Sequence, residues 1–583
     1  MYTDDRGAQI VLSLLKQFGI RKIVVSPGTT NVPISMSVQN DPDFEVYSVV
    51  DERSAAYFAT GLAYESGEPV VISCTGATAS RNYLSGLTEA YYRHLPVIAL
   101  TSQHYNEDAD ELLPQVTDRS VSQNDVKKMS VLLPVVRDEI SESEAVVKVN
   151  KALVSAISHG EGPVHINLPV SNMYSFSTHE LPVAPKTSYY RGKDILPPLG
   201  KGLEGKKIGV FVGSHKEFSP SLNKSIEDFI KRYNTVIFTD HSSGYHGPNR
   251  IQISQISDLL QSPNRPDIVI DLGSVSGDYS SWWVYENIPI WRVSEDGVLH
   301  YRQGHFVDKL FDCPEDEFFH DMASLTNRQS EHEYYKLLKH EVDGITVPNL
   351  PLSNTYISQK LASSIPKNSN LHLAILNSFR NMNYFQLDKT VRSSCNVGGF
   401  GIDGPLSTTI GQSMCDTDRL YFALVGDLAF FYDMNSLGIR HISKNVRILL
   451  VNNNRGVEFR VNPDLEERFS DALDSLVSAH GHFGDAKAWA ESMGFTYISA
   501  RNKPEFDRQL PEFVSSIDDQ QAPMLFEVFT TADDEKKALA AIRSANRPVA
   551  KSLEINNPKL IPRIKDQAKK ALRRIKNGTT RKT

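Results

Sequence analysis

The hydrophobic positions fall into short β-branched runs, separated by stretches in which apolar residues recur every three to four positions. Residues 22–25, 46–50, 70–73 and 97–100 read as strands with amphipathic helical segments between them. The same pattern returns at 208–212, 235–238 and 268–272, and again at 421–425, 447–451 and 524–528. Apolar runs without alternation suit strands covered on both faces, so the chain is predicted to be α/β with parallel sheets. A chain of 583 residues exceeds what one core can fill. Three α/β units fit the length: 1–180, a central unit at 200–343, and 354–545. Proline-bearing linkers are expected at 181–205 (Pro182, Pro185, Pro197, Pro198) and at 344–353 (Pro348, Pro351).

Composition narrows the class without naming a function. Hydrophobic residues at 40% and charged residues at 23% describe an ordinary globular chain, neither disordered nor fibrous. No uninterrupted apolar run reaches the roughly 18 residues of a membrane span, and residues 1–6 carry Asp4 and Asp5 where a signal peptide would be basic. A cytoplasmic protein without a membrane span is the expectation. Cys74, Cys313, Cys395 and Cys415 are too scattered for a disulfide framework or a zinc site. The net charge of −8 conceals a basic tail, 546–583: residues 559–583 contribute +9, so the rest of the chain carries −17. An acidic body argues against nucleic acid as a partner. The tail reads as a solvated extension.

Two places carry candidate chemistry. At Val49-Val50-Asp51-Glu52-Arg53-Ser54-Ala55-Ala56 a β run ends in acids and a small-residue helix begins, which aims Glu52 into the crevice at a strand's carboxyl end. Taken alone, such a glutamate is more often a helix-terminal charge than a catalyst. The second place starts at Val425-Gly426-Asp427-Leu428 and, after a helix-like segment at 434–442 and a strand, closes at Asn452-Asn453-Asn454-Arg455-Gly456. Glycine admits a diphosphate to the backbone; Asp427, the Asn453 amide oxygen and a following main-chain carbonyl, at Arg455, are hard ligands for Mg²⁺. Two ordinary strand-to-turn junctions explain either end, but not both at this spacing.

Gly426-Asp427 followed 26 residues later by Asn453 resembles the diphosphate motif of the thiamine diphosphate-dependent enzymes. Within that superfamily the chain resembles the menaquinone-pathway 2-succinyl-5-enolpyruvyl-6-hydroxy-3-cyclohexene-1-carboxylate synthases. The likeness is carried by Ser26-Pro27-Gly28, Asp51 to Ala55, Cys74-Thr75, Gly401-Ile402-Asp403-Gly404 with Ser407-Thr408, and the two motifs above. It implies a pyrimidine-binding, a central and a diphosphate-binding domain. Glu52 then activates the cofactor by hydrogen-bonding its aminopyrimidine nitrogen, and Ile402 props the cofactor into its bent shape. Gly426, Leu428 and Phe459 complete the cofactor contacts. Two chains are expected to share each cofactor, in a homodimer or homotetramer.

The resemblance has gaps. Thr30 stands where those synthases have a substrate-facing arginine, Val397 replaces another, a third position falls at Met382 with Arg380 nearby, and a central Lys-Arg pair is missing around 276–279. Neither Thr nor Val can clamp a carboxylate as a guanidinium does. The sequence expectation is therefore decarboxylation of a 2-oxo acid with transfer of the acyl carbanion to an acceptor, outside the menaquinone reaction. A simple decarboxylase and a non-catalytic cofactor-binding subunit are the alternatives. Gln115 matches an active-site glutamine of related enzymes, although a solvated loop residue explains it as well. Thr30, Thr75, Ser378, Arg380 and Glu458 are the substrate-contact candidates, with His104, His241 and His246 weaker ones.

Overall fold

The computed structural model describes residues 1–545 except 93, 106–123, 160, 192–199, 201, 258–259, 261–263, 286, 296–298, 300–304, 399, 462–473 and 483. The basic tail and Gln115 lie outside the described residues.

Three sheets collect the strands. The first orders β1 (Lys22–Val25), β2 (Glu45–Ser48), β3 (Val70–Thr75), β4 (Val97–His104), β5 (Met129–Leu132) and β6 (Val164–Val170) as β2-β1-β3-β4-β6-β5. The central sheet takes β7 (Ser188–Arg191), β8 (Ile208–Val212), β9 (Thr235–Thr239), β10 (Arg250–Gln252), β11 (Ile268–Leu272), β12 (Ile290–Val293) and β13 (Lys309–Asp312) as β10-β9-β8-β11-β12-β13-β7. The third orders β14 (Asn370–Leu373), β15 (Arg392–Cys395), β16 (Tyr421–Gly426), β17 (Val446–Asn452), β18 (Thr496–Ala500) and β19 (Met524–Phe529) as β15-β14-β16-β17-β19-β18. Pairings are parallel throughout the three sheets. Strands β8, β9, β11, β12 and β17 are buried at every position, as apolar runs without alternation require.

The first and third sheets repeat one topology, and the central one is different. Counted from β8, its order is 3-2-1-4-5-6, whose reversal point lies between β8 and β11, where such sheets open a ligand crevice. Here the chain's own loops fill that crevice: a Cβ on Gly213 would lie 2.1 Å from the Ser274 carbonyl oxygen.

Each sheet is clothed on both faces. In the first, helices Arg6–Gln17 and Glu139–Ile157 cover one face through Ile10, Leu14, Val149 and Leu153. The other face takes the small side chains Ala55, Ala56, Ala59 and Ala63 of helix Glu52–Ser66. That helix starts at the Asp51 cap, which accepts the Arg53 amide, and stops at Gly67, whose φ of 66° suits a residue without Cβ.

Two expectations need correction. The 181–205 linker is partly strand: β7 pairs with β13, and Tyr190 stacks on Phe311 with ring centroids 5.2 Å apart. The helix expected at 434–442 is only a 3-10 turn, Met434–Gly438, because Ile439 turns extended. Among the described residues no helix is long and apolar enough to cross a membrane.

Candidate active site

The spacing of Asp427 and Asn453 follows from the sheet. Strands β16 and β17 are parallel neighbours with Gly426 opposite Val451, so the residues leaving their carboxyl ends stand side by side after one crossover. Asp427 opens helix Asp427–Tyr432 and is buried; its Oδ1 accepts the Leu428 amide at 2.8 Å and its Oδ2 the Arg455 amide at 3.1 Å. Burial lifts its carboxyl above the ordinary value, against opposing hydrogen bonds from His482 and Leu428. The 452–456 loop is fixed from behind. Asn452 Nδ2 donates to Glu527 at 2.7 Å, Tyr497 donates to the other Glu527 oxygen, and Asn452 Oδ1 takes the amide of Asn454, which adopts φ 60°.

Two features of this loop suit a cation and a diphosphate. The Asn453 Oδ1 is buried and has no hydrogen-bond partner among the described residues, an expensive state for an amide oxygen unless a ligand engages it. A Cβ on Gly426 would meet nothing within 4 Å, which leaves open space against the backbone. Residues Asp427, Asn453 and the main chain at Arg455 thus fit a hard cation bound with a diphosphate. Among the described residues no three His, Cys, Asp or Glu side chains converge as a metal site, so any cation here depends on amide and main-chain oxygens as well.

Sequence reading missed His482. Its Nε2 lies 3.1 Å from Asp427 Oδ2, and its ring packs 4.9 Å from that of Phe431. No spacing rule points to it, since it reaches the site from a strap 26 residues beyond Gly456.

Glu52 sits half-buried at the start of its helix, with Asn82 Nδ2 3.4 Å from Oε2. Thr75 ends β3 against Gly28, where a Cβ would lie 2.1 Å from Thr75 Cγ2; this close approach explains the Pro-Gly of that motif. Ile402 is partly buried and packs against cores on both faces of the third sheet. Leu428 is half-buried beside Asp427. Phe459 follows Glu458 in helix Glu458–Val461.

The substrate candidates divide. Thr30 is buried and its hydroxyl donates to the Ser102 carbonyl at 2.8 Å, so it is spent on the fold. Arg380 and Glu458 come together: Nη1 donates to Oε1 at 2.8 Å, with 11% and 14% of the side chains exposed. They line a cavity of about 120 Å³ between the central and third units, shared with Asp278, Asn377, Tyr384 and Arg543. Residues 377, 380 and 381, at i, i+3 and i+4, share one face of helix Asn377–Met382, and Tyr384 follows in the turn beyond it. Ser378 is off that face and buried. His104 is half-buried at the end of β4. His241 is buried against the Met382 and Phe385 carbonyls, and burial holds its pKa down at about 4. His246 faces Glu217 at 3.1 Å. Neither of these two serves the pocket.

Among the described residues, the central unit reaches this cavity without cations. Asp278 accepts from Ser254, from the Ser280 amide and from Asn383 Nδ2, and a Cβ on Gly277 would lie 2.9 Å from Ile375. A side chain at 277 would have to displace the end of Ile375.

Residues 5–131 match the family model described as thiamine pyrophosphate enzyme, N-terminal TPP binding domain. The chain is 32% identical to the 2-succinyl-5-enolpyruvyl-6-hydroxy-3-cyclohexene-1-carboxylate synthase of Phocaeicola vulgatus, covering 92% of this chain and 97% of that one. Identity to the synthase of the same name from Bacteroides fragilis is 31%, over 92% and 98%, and to that from Flavobacterium johnsoniae 27%, over 90% and 96%. These relatives overturn the expectation that the chain stands outside the menaquinone reaction. That exclusion asked for arginines at fixed positions, whereas the cavity draws Arg380 and Arg543 from others. With its motifs, its parallel α/β fold and relatives along most of its length, the chain belongs to the thiamine diphosphate-dependent enzymes, in the family of 2-succinyl-5-enolpyruvyl-6-hydroxy-3-cyclohexene-1-carboxylate synthases.

Proposed function

We propose that the chain joins a succinyl unit to a cyclohexadiene carboxylate, the reaction for which its relatives are named. The product name divides into a donor and an acceptor. A 2-succinyl group arises from a five-carbon 2-oxo dicarboxylic acid that loses CO₂. The remaining part is a 5-enolpyruvyl-6-hydroxycyclohexadiene carboxylate, which gains the new carbon–carbon bond at ring C2 and a proton at C1.

Bound thiamine diphosphate supplies the electron sink that lets the 2-oxo carbon lose CO₂ and act as a nucleophile. The chain's own groups bind and orient. Asp427, Asn453 and the main chain at Arg455 hold Mg²⁺ and through it the diphosphate. Glu52, with Asn82 near Oε2, exchanges a proton with the cofactor's ring nitrogen. Ile402 supports the cofactor between its two rings. Arg380 and Arg543 face the carboxylates of donor and acceptor, and Glu458 sets the charge beside them. The supporting observation is the buried Asn453 Oδ1, without a partner among the described residues, on the loop that leaves the strand next to Asp427's. Glu52 belongs to the first unit and Asp427 to the third, so we place the working site between two chains of a homodimer.

The test is product formation. Purified chain with thiamine diphosphate, Mg²⁺, 2-oxoglutarate and the diene acceptor should yield the succinyl adduct by mass spectrometry, with stoichiometric CO₂. CO₂ release that is indifferent to the acceptor, with succinic semialdehyde as the only product, would refute the proposal.

A further inference from the structure

The strap at 478–482 is tied to the cation loop along its main chain. Gly456 N donates to the Ser478 carbonyl at 2.6 Å, and Gly481 N donates to the Asn454 carbonyl at 3.2 Å. At Gly481 the backbone turns through φ 84°, a value that favours glycine, and the next residue is delivered to Asp427. That residue is His482, with its Nε2 3.1 Å from Asp427 Oδ2 and only 18% of its side chain exposed. The Phe431 ring packs beside the imidazole, and Nδ1 is buried with no partner among the described residues. A buried carboxylate and an imidazole nitrogen held at short range by a braced strap therefore lie together, and the loop to which that strap is tied carries the orphaned Asn453 amide oxygen.

We infer that His482 ligates the divalent cation through Nε2, beside Asp427 and Asn453, giving this site a mixed nitrogen and oxygen donor set. Adjacent ligands of an octahedral ion with bonds of roughly 2.1 Å stand about 3 Å apart, the separation found between Nε2 and Oδ2. Magnesium and manganese both favour oxygen donors, while imidazole suits later divalent ions such as Co²⁺ and Ni²⁺. His482 therefore shifts the selectivity of the site away from Mg²⁺ and toward Co²⁺. The inference rests on the reading of Asp427 and Asn453 as cation ligands, and its test separates the two.

Full-length protein is loaded with Mn²⁺ and inorganic pyrophosphate, which supplies diphosphate oxygens and no nitrogen. Pulsed EPR should show a directly bound nitrogen in the wild type and none in His482→Gln. Calorimetry should show the ratio of Co²⁺ to Mg²⁺ affinity falling by about tenfold in that variant, and in His482→Asn. A wild-type spectrum without bound nitrogen, in a protein whose Asp427→Ala variant no longer takes up Mn²⁺, overturns the role of His482 and leaves the cation site standing. Mn²⁺ uptake unchanged by Asp427→Ala removes the cation site itself, and this inference with it. The wild-type spectrum needs no variant to fold.

Discussion

Glu458 holds the guanidinium that the proposed reaction needs for a substrate carboxylate, so removing its charge should strengthen anion binding while weakening the fold. The ion pair at 2.8 Å is largely shielded from water. With an effective dielectric of about 20, its Coulomb energy is about 6 kcal/mol, most of which desolvation offsets. The net worth of such a charge-assisted bond is about 1.5–3 kcal/mol. A substrate carboxylate that displaces Glu458 from Nη1 forgoes that amount, a factor of roughly ten to a hundred in affinity. Glu458→Gln should therefore bind succinate, a dicarboxylate probe, roughly ten to a hundred times more tightly than the wild type. Without an anion it should lose about 3 kcal/mol of stability, because the shielded Arg380–Glu458 charge pair is broken. Equilibrium denaturation with and without succinate reads both effects, and Arg380→Met should abolish the response to succinate. Equal succinate affinity in Glu458→Gln and the wild type would refute the competition.

Further outcomes follow from the geometry. Asp427→Ala should abolish Mg²⁺-dependent binding of thiamine diphosphate in calorimetry, since the diphosphate loses its neutralising ion; unchanged affinity would sink the assignment. Glu52→Gln should keep most cofactor affinity and slow exchange of the thiazolium C2 proton by orders of magnitude. If two chains share each site, mixing it with Asp427→Ala chains under subunit exchange should restore activity, because a heterodimer gathers both defects into one site. Asn383→Ala removes buried bonds to the His241 amide and to Asp278, and should cost about 2–5 kcal/mol in denaturant titration; a loss under about 1 kcal/mol would show the seam between the central and third units to be held elsewhere. Glu535 is buried at the Asn354 amide, and desolvation raises its pKa to about 7 from 4.5. The folded state then holds the proton more tightly than the unfolded one, so this contribution to stability is full below about pH 4.5 and is lost as pH rises to 7. The stability of Glu535→Gln relative to the wild type should rise by about 3 kcal/mol across that window, and parallel pH profiles would refute the assignment.

Most of the fold was legible because buried parallel strands write themselves as apolar runs. Strands β1, β8 and β11 have the bounds predicted, and β3, β4, β9, β16, β17 and β19 extend those predicted by one to four residues. The unread strands are polar or mixed. Strand β15 reads Arg-Ser-Ser-Cys, β14 holds His372, and β7 pairs two tyrosines with Ser188 and Arg191, so neither alternation nor an apolar run marks them. The pairing of Asp427 with the 452–456 loop was legible for a related reason. One crossover between neighbouring strands fixes the distance from Asp427 to Asn453, and chain spacing then encodes spatial contact. His482 and Arg543 arrive from separate elements and leave no local pattern. The face of 377, 380 and 381 had a helical period, but too few turns to stand out.

The arginine argument failed at the same boundary between local and tertiary information. A missing arginine shows that one backbone position no longer supplies a guanidinium; it does not show that the pocket lacks one. At 277 even a Cβ would crowd the ends of Ile375, Val397 and Phe379, so a side chain there requires them to shift. Arg380 lines the cavity from the third unit, as does Arg543, from a helix more than 160 residues further along the chain. Asp278 and Glu458 line it as well, so the cavity brings carboxylates of its own to its guanidinium groups. A pocket of this kind draws less on net positive charge than on exchange, in which a substrate carboxylate takes Arg380 only when Glu458 lets go. Charge counted along the sequence cannot reveal such an exchange, because it depends on which carboxylate stands 2.8 Å from which guanidinium. The absence of clamps at inherited positions is therefore compatible with an acidic substrate, provided that Glu458 yields.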